Sequence, residues 1–212
     1  LLLSQPERAA WHCAIGRREP AGGRGVADID EVVVCRDVET RAGRTLRWVE
    51  DNRAPILDIA LNRLTLGRAL LYRSVVQARG SATQPAVDTE PLIDSAAANH
   101  LNAAVDGLRR AGQIDRLPWG LLSRAWLRFL QDDSDGARTD LNEALEIAER
   151  GPMKLHMADI RLYRARLFHA VRPYPWDSPH ADLAAARKLI EECGYWRRKE
   201  ELEDAEEVAA NW

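Results

Sequence analysis

Residues Leu122–Leu127 read LSRAWL. The same frame, Leu-x-Arg-Ala-x-Leu, occurs as LGRALL at Leu66–Leu71 and as LYRARL at Leu162–Leu167. The three copies start 56 and 40 residues apart. A second frame, Leu-x-x-Ala-x-x-x-apolar, runs beside the first: LNAAVDGL from Leu101, LNEALEIA from Leu141 and LAAARKLI from Leu183, at intervals of 40 and 42 residues. Each copy is followed by a glycine, Gly112, Gly151 or Gly194. Self-similarity at such intervals marks stacked supersecondary units, because one unit alone cannot bury its apolar face.

The residues inside the frames say what the unit is. Leu122, Ala125 and Phe129 step by three and four, as do Leu141, Ala144, Leu145 and Ala148. Such steps place side chains on one face of a helix. Each repeat therefore reads as two helices, A carrying the first frame and B the second. In the second copy A opens at Pro118, whose missing N–H is not needed in a first turn. Within QDDSDG, Asp133 or Ser134 can cap B by accepting from a free backbone N–H. Gly151 is expected to end B in a left-handed turn, with Pro152 starting the next A helix.

Small residues let two antiparallel helices approach. Ala125 on A and Ala137 on B are twelve apart, followed by Leu141 and Ala144. That order resembles the tetratricopeptide repeat. The family's aromatic after the first small residue is matched by Tyr72 and Phe168 but replaced by Arg128 in the middle copy, and the 40- to 42-residue period is longer than the family's. The resemblance implies an all-α fold, a right-handed α-solenoid of antiparallel helix pairs forming a tetratricopeptide-like superhelix. Stretches such as LDIALNRLTLGRALLYRSV, AVDGLRRAGQIDRLPWGLLSRAWLR and DLNEALEIAERGPMKLHMADIRLYRARLF also resemble the C-terminal regions of large bacterial signalling proteins, including NACHT-type ATPases. That likeness implies a sensor or scaffold behind a separate nucleotide-binding module. No G-x-x-x-x-G-K-[ST] loop occurs in this chain.

The rest of the chain is arranged around this array. Residues 1–27 form a weakly specified N-terminal segment, with the remains of an earlier A helix expected in 1–18 and a break at Glu19–Asp28. The repeats are expected over 28–196, opening at a capping box made by Asp28 and Glu31. The stretch 79–94 is rich in Ser, Thr and Pro and reads as a loop, as does Arg172–Pro179. Residues 197–212 read as a charged amphipathic helix, the polar cap that a stacked array needs at its end.

Composition narrows the function. The 212 residues carry a net charge of −3 and a pI near 6.0, against the basic footprint of nucleic-acid binding. Of 30 basic residues 27 are arginine, which with abundant alanine points to a GC-rich bacterial source. No apolar run reaches the ~18 residues of a membrane span. The cysteines, Cys13, Cys35 and Cys193, are few, odd in number and without metal spacing, so reduced thiols in a cytoplasm are expected. The chain starts with Leu rather than Met, as a piece of a longer protein would.

Candidate chemistry is sparse. His156 and Asp159 share a helix face but lack a third metal ligand. QDDSDG would need an acid where Asn142 stands to be a calcium loop. AGGRG at Ala21–Gly25 lacks a following Lys-Ser or Lys-Thr. Ser4, Ser74 and His12 form no nucleophile-and-base motif. The expectation is a non-catalytic protein–protein interaction module without a cofactor, binding a protein or peptide. Its candidate contacts are Arg68, Arg124 and Arg164, one per A helix, with Trp126 and Arg128 beside them. The guanidiniums would form a ladder able to fork onto carboxylates or phosphate, unless acids of neighbouring helices such as Asp140 or Asp182 take them. The alternative is a ligand-binding or enzymatic domain with a pocket between the repeats and the N-terminal segment.

Overall fold

The computed structural model describes residues 2–16, 31–81 and 95–212, and among them every regular element is helical. The chain divides into two compact units, Leu1–Ala111 and Gly112–Trp212. The first holds α1 (Ser4–Ala14), α2 (Glu31–Asp51), α3 (Ile56–Ser81) and α4 (Ser95–Arg110). The second holds α5 (Leu117–Leu130), α6 (Ser134–Arg150), α7 (Lys154–Phe168), α8 (Pro179–Cys193), a short 3-10 turn at Trp196–Arg198 and α9 (Lys199–Ala209).

The two frames fall where the helix pairs are. The first lies on α3, α5 and α7, the second on α4, α6 and α8, and each A helix packs against the B helix that follows it. In the first unit α3 is also flanked by α1 and α2, and in the second α7 touches α5, α6 and α8. This explains the length of the frame. Leu122–Leu127 is buried at all six positions, as is Leu162–Leu167. Six consecutive buried residues wrap more than a full helical turn, so these helices are covered all round rather than along one stripe.

Close approach sets the register of α3 on α4. A Cβ at Gly67 would stand 2.8 Å from the Leu101 side chain, and one at Gly107 would stand 2.8 Å from the Cβ of Ala60. Going from 67 back to 60 while going from 101 on to 107 is an antiparallel pairing. In the second unit Arg124 meets Asp140 and Arg128 meets the Gly136 carbonyl, which gives α5 and α6 the same antiparallel sense.

Local signals act much as the sequence suggests, with two differences. The Asp133 carboxylate caps α6, accepting from the Gly136 N–H at 2.9 Å, and Ser178 caps α8 through the Ala181 N–H at 3.0 Å. Gly112 and Gly194 adopt left-handed conformations with φ of 65° and 62°. Gly151 does not: its φ is −93°, and α7 starts at Lys154, two residues beyond Pro152. In addition, α3 runs through Ser81, so the first three residues of the stretch read as a loop from Arg79 are helical. The remainder of that stretch, the break at Glu19–Asp28 and the Asp28 side of the capping box lie outside the described residues.

At the C-terminal end α9 closes the second unit. Leu202, Ala205 and Ala209 pack with Ala158, Leu162 and Ala165 of α7 and with Leu183, Ala186 and Ile190 of α8. Each large aliphatic side chain buried in this way contributes about 1.5–3 kcal/mol.

Candidate partner-recognition surface

The recurring arginines are held inside the fold. Arg124 is 6% exposed and forks onto Asp140, with Nε donating to Oδ2 at 2.9 Å and Nη2 to Oδ1 at 2.7 Å. Arg128 reaches the same carboxylate at 3.0 Å and also donates to the Gly136 carbonyl at 3.2 Å. Arg128 therefore serves as a second cation on a buried acid. Trp126 corrects a different expectation. It is 0% exposed and meets Tyr163 edge-on, with ring centroids 6.0 Å apart, so it has no surface to offer a partner.

The other two copies show how the ladder depends on what precedes the B frame. In the second copy that residue is Asp140, in the third Asp182 and in the first His100. Without an acid at that register, Arg68 turns to Glu7 of α1 at 3.0 Å and donates to the Tyr72 hydroxyl at 2.9 Å. In the third copy Arg161 takes Asp182 at 2.7 Å, and the Tyr174 hydroxyl donates to the other oxygen at 2.6 Å. Arg164 then lies over the Trp176 ring, 4.3 Å from its centroid, and donates to Asn142 Oδ1, which the Trp176 indole also reaches at 2.9 Å. Burial lowers the Arg164 guanidinium from its ordinary value, and the charge of Asp182 partly offsets this. Burial also raises the Tyr174 phenol, helped by its bond to Asp182, so it remains a donor.

The fifth position of the frame, variable in sequence, is buried in all three copies as Leu70, Trp126 and Arg166. A charged residue there needs inward-facing acids, and α9 supplies them. Arg166 donates to Glu201 at 3.1 Å, Arg198 bonds the other oxygen of Glu201, and Arg198 Nε donates to Asp159 at 2.8 Å. Tyr195 adds a longer bond to Asp159 at 3.3 Å. This alternating chain of charges bolts the last helix to α7. It also turns Asp159 inward, away from His156, whose Nε2 donates to the Asp115 carbonyl at 3.1 Å. The two residues therefore do not share a site, and no group of three or more His, Cys, Asp or Glu among the described residues is placed to hold a metal ion.

What the second unit leaves in solvent is its edge. Ile114, Trp119, Leu155 and Trp196 are exposed, standing just before or at the starts of α5, α7 and the final 3-10 turn. Arg116 lies over the Trp119 ring at 4.9 Å, and His156 meets the same ring edge-on at 5.4 Å. Lys154 ties the start of α7 to Glu192 near the end of α8 at 3.3 Å, close to the turn that carries Trp196. Helix starts alternate with helix ends along such an edge, so its apolar side chains recur at the starts of α5 and α7 and again at the 3-10 turn. Sequence reasoning passed over Ile114 and Leu155, because isolated apolar residues outside a periodic frame carry no pattern signal.

No protein-family model, curated protein or solved structure matches this chain. Among the described residues no helix is long and apolar enough to cross a membrane. The exposed edge offers rings, aliphatic groups and a few paired charges.

Proposed function

We propose that the chain is a non-catalytic protein-interaction module built of tetratricopeptide-like helix pairs stacked as a right-handed solenoid, part of a larger bacterial signalling protein. The observation that carries this reading is the recurrence of exposed apolar side chains, Trp119, Leu155 and Trp196, at the starts of α5, α7 and the 3-10 turn of a unit whose interior is well buried. Large rings half out of water at the rim of a well-packed unit are favoured anchors for a protein partner. The antiparallel pairing of the repeated frames supports the solenoid. The signalling-protein setting rests on the sequence resemblance, and the cytoplasmic location on three cysteines without metal or disulfide spacing. The binding surface is the edge and not the arginine ladder, since Arg68 and Arg124 are taken by acids of the same chain and Arg164 by Asn142 and the Trp176 ring.

The test compares the wild type with a Trp119→Ser, Leu155→Ser, Trp196→Ser variant. Both are used as bait in a bacterial lysate, with partners quantified by mass spectrometry and helicity checked by circular dichroism. The expected result is a partner enriched by the wild type and lost by a variant of unchanged helicity. Retention of the same partner by the variant removes the edge from consideration.

A further inference from the structure

A separate surface in the first unit carries a charge pattern of its own. On α2, Val33, Arg36, Thr40, Arg44 and Arg47 follow one another at steps of three and four, with Trp48 next to the last. Such steps form one stripe along a helix. The first four and Arg47 are exposed, and Trp48 is 64% exposed. The helix carries five acids and four arginines, and three of the acids are taken by arginines outside the stripe. Glu39 pairs with Arg73 and Glu50 with Arg63, both on α3, at 2.7 and 2.5 Å. Asp37 pairs with Arg41 along the helix at 2.6 Å. Arg36, Arg44 and Arg47 meet no acid among the described residues. Three unmatched guanidiniums thus span roughly 16 Å, at 1.5 Å of rise per residue, and end on an open indole ring.

We propose that this face of α2 is a docking stripe for an acidic peptide segment, its carboxylates taken by Arg36, Arg44 and Arg47 and one apolar side chain seated on Trp48. Guanidinium forks match carboxylates, and a desolvated Trp at the end of a charged row is a favoured anchor. Two features favour a peptide over a larger polyanion. Asp51 closes the stripe at one end, so a membrane plane or a duplex lying across the helix meets repelling charge beside the arginines. The chain as a whole has a net charge of −3, which opposes any broad anionic surface. A single peptide laid along the stripe avoids both. This surface is independent of the edge of the second unit, and either can fail without the other.

The experiment uses the whole chain and a fluorescein-labelled helical peptide with Glu at every fourth position and a single Leu, read by fluorescence anisotropy at physiological salt. Parallel arms use the same peptide with Lys for Glu, a duplex DNA and phosphatidylserine vesicles. The acidic peptide is expected to bind, with affinity reduced about tenfold or more by Arg44→Glu, Arg47→Glu and about fivefold or more by Trp48→Ala. Arg138→Glu, an exposed position in the second unit, leaves it unchanged. All of these substitutions replace exposed side chains, and circular dichroism confirms that helicity is kept. The proposal is overturned if the acidic peptide does not bind, if binding survives the α2 substitutions, or if DNA or vesicles bind as tightly as the peptide.

Discussion

Asp140→Ala should damage the second unit far more than a surface charge substitution would. The Asp140 carboxylate is 1% exposed and accepts two bonds from Arg124 and one from Arg128. Removing it leaves the Arg124 guanidinium, whose side chain is 7% exposed, buried beside a methyl group. Stripping one partner from a buried pair costs about 3–5 kcal/mol, chiefly the penalty of an uncompensated buried charge. Arg128 adds little to that cost. Its side chain is 29% exposed, so water replaces the lost acid, and it keeps the Gly136 carbonyl. With a urea m-value of about 2 kcal/mol/M, a loss of about 4 kcal/mol moves the midpoint down by about 2 M. A second variant separates charge burial from packing. Arg124→Met, Asp140→Leu removes both charges and fills their space, and is expected to lie within about 1–2 kcal/mol of the wild type. Urea titration followed by circular dichroism reads both. Two results would refute the pairing: an Asp140→Ala shift smaller than the error of the titration, or a double variant as unstable as the single one. Either would mean that Arg124 is not committed to Asp140 and is free to take a ligand. For the same physical reason Arg124→Glu is expected to unfold the unit, so it cannot serve as a probe of binding.

Gly107→Val should destabilise the α3–α4 pair by about 1–3 kcal/mol, because the added side chain meets Ala60 at 2.8 Å. Gly43→Ala on α2, where nothing stands within 4 Å, should instead raise thermal stability slightly. Equal behaviour of the two variants in thermal melts would contradict the antiparallel register of α3 on α4. His169 stacks on Trp212 with centroids 4.5 Å apart, and burial lowers its pKa, aided by the charge of Arg172 and opposed by its bond to the Arg166 carbonyl. The unfolded chain therefore binds more protons than the folded one as pH falls through about 6.5, and stability declines until the pH is below the lower folded value. The melting temperature of the wild type should fall between about pH 8 and about pH 5.5 by more than that of His169→Gln. An identical fall in both would show that His169 does not contribute.

Some of the candidate site was legible in the sequence and some could not be. The frame Leu-x-Arg-Ala-x-Leu named the arginines, and of the acids offered as their partners Asp140 holds Arg124, whereas Asp182 holds Arg161 instead of the frame's Arg164. Glu7 and Asn142 were not legible as partners, because they lie 61 and 22 residues from the arginines they meet, on helices whose packing no local pattern encodes. Trp126 sat at a position that varies between copies, and variability reads as exposure. The structure buries that position in every copy and compensates each time with different neighbours. The α2 stripe has clear helical spacing, yet its free charge appears only after Glu39 and Glu50 are assigned to α3.

The sequence alone determined the local order of this protein. Three- and four-residue spacing of apolar groups, a cap at Asp133, and small residues at fixed offsets set helices and paired each A with the next B, because these signals act over one or two turns of chain. Only the tertiary structure decided which polar groups remain for a partner. A guanidinium is committed or free according to which carboxylate reaches it across a helix interface. That distance depends on packing angle and register over tens of residues, which no stretch of sequence contains.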